Sequence, residues 1–379
     1  MADYDKYRRK KKKSRFFDII TLVAVLIMVC CAHAGAINPQ QFFLAPFMSL
    51  AYMPMLILVL VLLLVALIWR KWLSVLLVVI GLVATATVIK LFVPLNSGDD
   101  KPAIPADTTL ILNVMTYNVL GFNYNEPSLS AQPSASIRLI LDANPDVVLL
   151  QEGSAGGLGW DEIPSVKPLL PEVMARYPYC YNGNEGLNIM SKYPFTTQPV
   201  GKLQHSRTPL SYNREQTSYL ARAFDLTLPS GKQLRLVDFR LQSYHLGFGK
   251  SATVRVSPDV KPSSMERMRR SFALRSENAA ALRQAFDESP ENLIVCGDMN
   301  DITASYVYRV IRGNDLNDAW SDAGTGYAPT YNRHHLPYRI DHVFYRGDVR
   351  PIAAQRLTGG SSDHYPLMVS FDIDITDNH

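Results

Sequence analysis

Leu293-Ile294-Val295-Cys296-Gly297-Asp298-Met299-Asn300-Asp301 is the stretch that decides the fold. An unbroken apolar run containing β-branched residues reads as a buried strand. Gly, Asp and Asn then end it in a tight turn. Asp298 and Asn300 stand at i and i+2 on that turn, so both side chains can point into one cleft.

The same pattern recurs on either side. Leu110–Thr116 runs into Tyr117-Asn118, and Asp146–Leu150 runs into Gln151-Glu152. Leu187–Met190 is a further strand. Ser218–Leu228 and Gln233–Gln242 form a hairpin around Pro229-Ser230-Gly231. Tyr338–Tyr345 carries Arg339-Ile340-Asp341-His342, and the last strand, Tyr365–Asp374, follows Ser361-Ser362-Asp363-His364. Helices are predicted at Ser134–Asp142 and Ser264–Phe286. Strands outnumber helices, and hairpins mix with crossovers. The expected class is α+β, a four-layer sandwich of two packed mixed sheets flanked by helices.

Before residue 96 the composition changes. Three apolar stretches, about 16–37, 42–69 and 72–95, are each long enough to cross a bilayer. Pro46 and Pro54 fall in the second, and Lys90 near the end of the third can snorkel. The run Arg8-Arg9-Lys10-Lys11-Lys12-Lys13 belongs in the cytoplasm, as do Arg70 and Lys71 between the second and third stretches. The loop Asn38-Pro39-Gln40-Gln41 has no basic residue. The expected layout is a basic cytoplasmic tail (1–15), three transmembrane helices (16–95), a linker (96–108) and an extracytoplasmic domain (109–379), in the inner or plasma membrane.

The net charge of +4 conceals this division: 11 of the 38 Lys/Arg but only 3 of the 34 Asp/Glu fall before residue 98, leaving 27 basic and 31 acidic residues beyond it. That part lacks the positive field of a non-specific DNA binder. None of the four Cys has metal-site spacing, and a Cys180–Cys296 disulfide is disfavoured.

Singly, each polar strand end has a bland reading as a turn, a cap or a solvated end. Together, Tyr117-Asn118, Gln151-Glu152, Gly297-Asp298-Met299-Asn300, Arg339-Ile340-Asp341-His342 and Ser362-Asp363-His364 follow one another in an order that resembles the endonuclease/exonuclease/phosphatase family. That family includes DNase I-like nucleases, inositol-polyphosphate phosphatases and sphingomyelinases. The resemblance spans about residues 109–374. It implies a metal-dependent phosphoesterase using Mg²⁺ or Mn²⁺, with Glu152, Asn118 and Asp363 at the metal. His364, Asp298, Asn300, Asp341 and Asn118 are the implied catalytic residues: Asp298 and Asn300 for water activation and phosphoryl contact, His364 as general base or phosphate ligand, and Asp341 to orient a His. Hard oxygen ligands suit such a cation.

There is one departure. Arg240 stands where family members commonly carry a His. An arginine can clamp a phosphate but cannot give up a proton near neutral pH. Arg240 and, less firmly, His245 are therefore expected at the substrate phosphate. Arg333, His334 and His335 read equally well as substrate contacts or a surface turn, and His342, one residue past Asp341, faces the opposite way. Arg267, Arg269, Arg270 and Arg275 read as a solvated helix face, packing under the site being the alternative for Arg275. The long segment 243–263 reads as a substrate lid or a recognition loop. Expected partners are a phosphoester substrate (nucleic acid, lipid head group or other envelope phosphoester) and the lipid bilayer; no protein partner is inferable. The rival reading is a catalytically impaired, membrane-bound scaffold. A channel is disfavoured, because the apolar stretches offer no polar pathway.

Overall fold

The structure, a computed structural model, describes residues 2–96, 109–155, 157–183, 185–202, 219–243, 264–333 and 338–374. His245, His334, His335 and most of the expected linker and lid lie outside them.

Four helices come first: α1 (Ala2–His33), α2 (Ala45–Ile68), α3 (Trp72–Ala84) and α4 (Ala86–Phe92). Two spans, Arg15–Ala36 and Ala45–Ile68, are long and apolar enough to cross a membrane. The third apolar stretch is a pair, α3 and α4, bent by 66°. Thr85 sits at the break, its hydroxyl donating to the Gly81 carbonyl at 3.0 Å, a back-bond that bends helices. Beyond the bend Lys90 turns to Asp322, 3.8 Å away.

Among the described residues, twelve strands follow in two six-stranded mixed sheets. The first contains β1 (Thr109–Asn118), β2 (Val147–Gln151), β3 (Tyr179–Tyr181), β4 (Asn188–Ser191), β11 (Val349–Arg356) and β12 (Leu367–Asp374), ordered β11-β12-β1-β2-β4-β3. The second contains β5 (Phe195–Lys202), β6 (Tyr219–Thr227), β7 (Gln233–Arg240), β8 (Leu293–Asp298), β9 (Asn317–Asp318) and β10 (Asp341–Arg346), ordered β5-β6-β7-β8-β10-β9. Short α5 (Pro127–Ser130), α6 (Ala135–Ala143) and α7 (Leu170–Arg176) lie between strands of the first sheet; α8 (Ser264–Asp287), α9 (Tyr306–Arg312) and α10 (Ala319–Ala323) follow β7, β8 and β9.

Alternation along each strand builds the layers. Leu112 and Val114 of β1, Val147 and Leu149 of β2, and Ile294 and Cys296 of β8 fill the space between the sheets. Met115, Tyr117, Val148 and Leu150 face α6. Leu293 and Val295 face α8 and α9. The expected four-layer sandwich is observed. Cys180 and Cys296 are free thiols on different sheets.

The apolar helices do not stand off from the sandwich. Gly35 lies on the Ala304–Ser305 backbone, and Phe47 meets Phe272 edge-on at 5.2 Å. The Tyr338 hydroxyl donates to the Leu50 carbonyl at 3.1 Å, and buried Arg339 donates to the Leu91 carbonyl at 3.0 Å while pairing with Asp318 at 2.9 Å. Asn96, where the expected linker begins, already donates to the Ser321 and Gly324 carbonyls. One apolar cluster joins Met28, Tyr52 and Phe92 of the helices to Ile302, Ala304 and Ile340 of the sandwich.

A Cβ at residue 35 would meet the Ala304 carbonyl oxygen at 2.3 Å, and backbone cannot yield there cheaply. Gly35→Val is expected to destabilise this junction by about 1–3 kcal/mol. It should appear as a lower thermal midpoint and new protease cleavage between residues 33 and 44; an unchanged midpoint and digest would mean that the junction carries no stability.

Candidate active site

The period of two that builds the core also delivers the site. Asn118 continues the inner-face series of Leu112 and Val114, and Arg240 that of Leu234 and Leu236. Asp298 follows Ile294 and Cys296, and Asp341 precedes Val343. All four side chains therefore leave their strands toward the gap between the sheets, at one end of it. Register finishes the arrangement: Asp298 is opposite Arg240 on one side and Asp341 on the other.

Two turns bring the remaining groups in. Glu152 follows β2 with φ at +51°, a conformation that costs about 1–3 kcal/mol for a non-glycine residue and recurs at functional sites. It is held there by the Gly121 N–H donating to its carbonyl and by Gly153 N–H donating to the Gly186 carbonyl, both at 2.9 Å. Asn300 also has φ at +51°. Asn tolerates this region well.

The Asn118 amide is oriented by the Leu120 N–H, which donates to its Oδ1 at 3.1 Å. Its Nδ2 then donates to Glu152 Oε1 and Asp298 Oδ2, both at 3.0 Å. Asn300 caps Asp298 twice, through its backbone N–H at 2.9 Å and its Nδ2 at 2.8 Å. His364 Nδ1 lies 2.8 Å from Asp341 Oδ2. Asp298, Asp341 and His364 bring ligand atoms within 4.8 Å of one another, all buried.

Arg240 fills the departure from the family pattern with a cation. Its guanidinium reaches Glu152 Oε1 at 2.6 Å and Asp298 Oδ2 at 3.9 Å. Asp363, beside His364, faces Arg333 at 3.5 Å on the rim. His342 is fully buried on the other face, against Tyr308 and Phe344. Burial and then Arg339 push it down to about 3, so it stays neutral and structural. Arg275 lies beneath the site, donating to the Gln242 carbonyl at 2.9 Å and 3.5 Å from Asp301. Arg269 and Arg270 are exposed.

Charge shapes these groups. Burial pushes the Asp298 carboxyl up to about 6; His364 and Arg240 oppose the rise and Asp341 adds to it. Burial alone would lower the His364 imidazole, but Asp341, Asp298 and Asp363 push it up to about 10. Burial also works to raise Glu152, yet Arg240, Asn118 and His364 hold it below its ordinary value.

Sequence reasoning missed the supports. Thr330 Oγ1 accepts the N–H groups of Ile340 and Asp341, at 3.0 and 3.1 Å. The Ser362 hydroxyl donates to the Asn118 carbonyl at 2.6 Å and accepts from His364 N–H at 3.1 Å, tying β1 to the last motif. The Tyr331 ring packs edge-on against His364 at 5.4 Å. Ser362 stood inside a motif and was findable; Thr330 and Tyr331 carried no local signal.

The Asp298 shift has a testable sign. Its folded value, about 6, lies above the ordinary 3.8, so the folded chain holds that proton more tightly than the unfolded one. Stability from this group is present at low pH and is lost as pH rises through that window. In metal-free protein, Asp298→Asn should raise stability by on the order of 1–3 kcal/mol near pH 8 and by little near pH 4. Equal thermal shifts at the two pH values would contradict the buried charge.

The sequence model of the "Endonuclease/Exonuclease/phosphatase family" matches residues 115–364, more than half of the chain. A second model, a domain of unknown function, matches residues 14–92. No curated protein matches. Among solved structures, the endonuclease/exonuclease/phosphatase of Beutenbergia cavernae is 18% identical, with 69% of this chain and 72% of that one covered and a TM-score of 0.45. The human Nocturnin catalytic domain, with bound sulfate anion, is 20% identical over 69% and 93%, with a TM-score of 0.47. The corresponding Bacteroides vulgatus protein is 15% identical over 70% and 99%, also at 0.47. The chain belongs to the endonuclease/exonuclease/phosphatase family.

Proposed function

We propose that this chain is a membrane-anchored, divalent-metal-dependent phosphoester hydrolase whose domain lies on the extracytoplasmic side. The observation that carries the reading is the convergence of Asn118, Glu152, Asp298, Asn300, Asp341 and His364 at one end of the sandwich. The family match supports hydrolysis, and the apolar helices with their basic flanks support the anchor.

The residues present fit a hard cation. Carboxylate and amide oxygens dominate the cluster, and Asp341 Oδ1 and Asp363 Oδ1 are buried with no hydrogen-bond partner. Glu152, Asn118 and Asp363 would hold Mg²⁺ or Mn²⁺. When bound, such an ion supplies Lewis-acid polarisation of a phosphoryl oxygen.

The chain's own groups divide the remaining work. Asp298, pushed up to about 6, is a carboxylate poised to take a proton from the attacking water near neutral pH. Asn300 and Asn118 fix its orientation. His364 is held by Asp341 at 2.8 Å, and that carboxylate favours the charged imidazole, which suits a cation and donor toward the phosphoryl group. Of the two roles expected for His364, phosphate ligand is the one this charge state supports. Arg240 is a second fixed cation, and it does not exchange protons.

The Arg240–Glu152 pair also supports a second reading, in which Arg240 occupies a metal ligand and silences the site. Full-length protein in detergent should hydrolyse bis(p-nitrophenyl) phosphate with Mg²⁺ or Mn²⁺ and lose activity to chelator. Asp298→Ala and His364→Ala should each cost about 10²–10⁴-fold in kcat. Arg240→Ala should cost about 10–100-fold in kcat/KM if Arg240 clamps phosphate. Activity that rises in Arg240→Ala would instead establish the silenced site, and a folded wild-type chain with no metal-dependent hydrolysis would sink the hydrolase reading.

A further inference from the structure

The helices grip the very segments that carry the site. Asn300 is followed by Ile302 and Ala304, both packed in the cluster shared with the helices. Arg339 and Ile340, one bonded to α4 and the other buried in that cluster, immediately precede Asp341. Tyr331 packs against the same cluster and against His364. The Met299 N–H donates to the Ile340 carbonyl at 2.9 Å, so the two gripped segments are bonded to each other. The site and the helix junction thus occupy one end of the sandwich.

The surface beside this junction has bilayer character. Phe42, Phe43 and Leu44, between α1 and α2, are exposed, as is Met265 on the first turn of α8. Arg269 lies over the Phe43 ring at 5.9 Å, and Arg270 is exposed next to it. Exposed aromatics beside two arginines, Arg269 and the Glu266-paired Arg270, match the level where acyl chains meet phosphate head groups.

We propose that the substrate is a phosphoester borne by a lipid or lipid-linked carrier in the leaflet that the domain faces, reached by lateral diffusion. The inference rests on the hydrolase reading above and names its substrate class. A site fixed at the bilayer surface meets membrane-borne phosphates at a high effective concentration. A nucleic-acid duplex would have to approach a domain with more acidic than basic residues, against a membrane. In the reaction, a water oxygen bonds to phosphorus, the ester P–O bond breaks, and the water's proton ends on the leaving oxygen.

The test uses the full chain in phosphatidylcholine vesicles with Mn²⁺. Three probes are compared: a diacylglycerol p-nitrophenyl phosphodiester in the vesicle, soluble bis(p-nitrophenyl) phosphate, and a single-stranded oligonucleotide. The lipid-borne reporter should be preferred about 10²-fold in kcat/KM. Phe43→Ser, at an exposed position away from the catalytic groups, should keep soluble turnover and lose that preference. Equal use of the two reporters, faster cleavage of the oligonucleotide, or a preference undiminished in Phe43→Ser would overturn the lipid assignment while leaving a hydrolase. No turnover of any probe would remove the hydrolase reading, and this inference with it.

Discussion

The structure turns on the gathering of three carboxylates, buried Asp298 and Asp341 and half-buried Glu152, in one gap between two sheets. Asp298 and Asp341 sit directly opposite on neighbouring strands, where like charges destabilise a sheet. Removing one such charge from water costs several kcal/mol, on the order of what holds a whole domain together. The fold offsets that cost with Arg240 on the neighbouring strand, His364 on Asp341 and the amides of Asn118 and Asn300. Each compensating group is placed by strand register or by a tight turn. The concentration of charge is therefore a property of the whole sandwich rather than of any one loop, and it is also what makes the site useful for a phosphoryl group.

Much of this was legible because β-strand geometry is periodic. Once Ile294 and Cys296 are read as inward, Asp298 must be inward too; the same step places Asn118, Arg240 and Asp341, and sends His342 to the opposite face. The order of the polar strand ends indicated the family, and runs of apolar residues indicated two sheets. Strands with mixed composition escaped: β11, Val349–Arg356, alternates buried and exposed positions with Pro351 and Ala353 around a bulge, and β5 carries Pro199. Neither reads as a strand, because its pairing is supplied by neighbours remote in sequence. The Arg240–Glu152 pair was equally hidden: sequence shows that a cation replaces a His, but only the packing shows which carboxylate it reaches.

The helix junction is the larger surprise. A polar segment carrying Gly98, Pro102 and Pro105 implies a tether, and composition alone gives no sign that residues before it already bind the domain. Gly35, Leu50 and Leu91 offer backbone to the contact, which no side-chain pattern reports. Arg339 is the clearest case. Inside the motif it reads as a neighbour of Asp341, yet its buried guanidinium spans from Asp318 to the end of the apolar bundle. The apolar helices and the site are thereby parts of one packed unit.

The central proposal is that Glu152, Asn118 and Asp363 hold a divalent cation. Mn²⁺ binding to the full-length chain, followed by the loss of the free-ion paramagnetic resonance signal, tests it without relying on turnover. The account predicts saturable binding that weakens at least about 10-fold in Glu152→Gln, the size of effect typical when a ligand environment is disrupted. No saturable binding to the wild-type chain, or binding unchanged in Glu152→Gln, would contradict it.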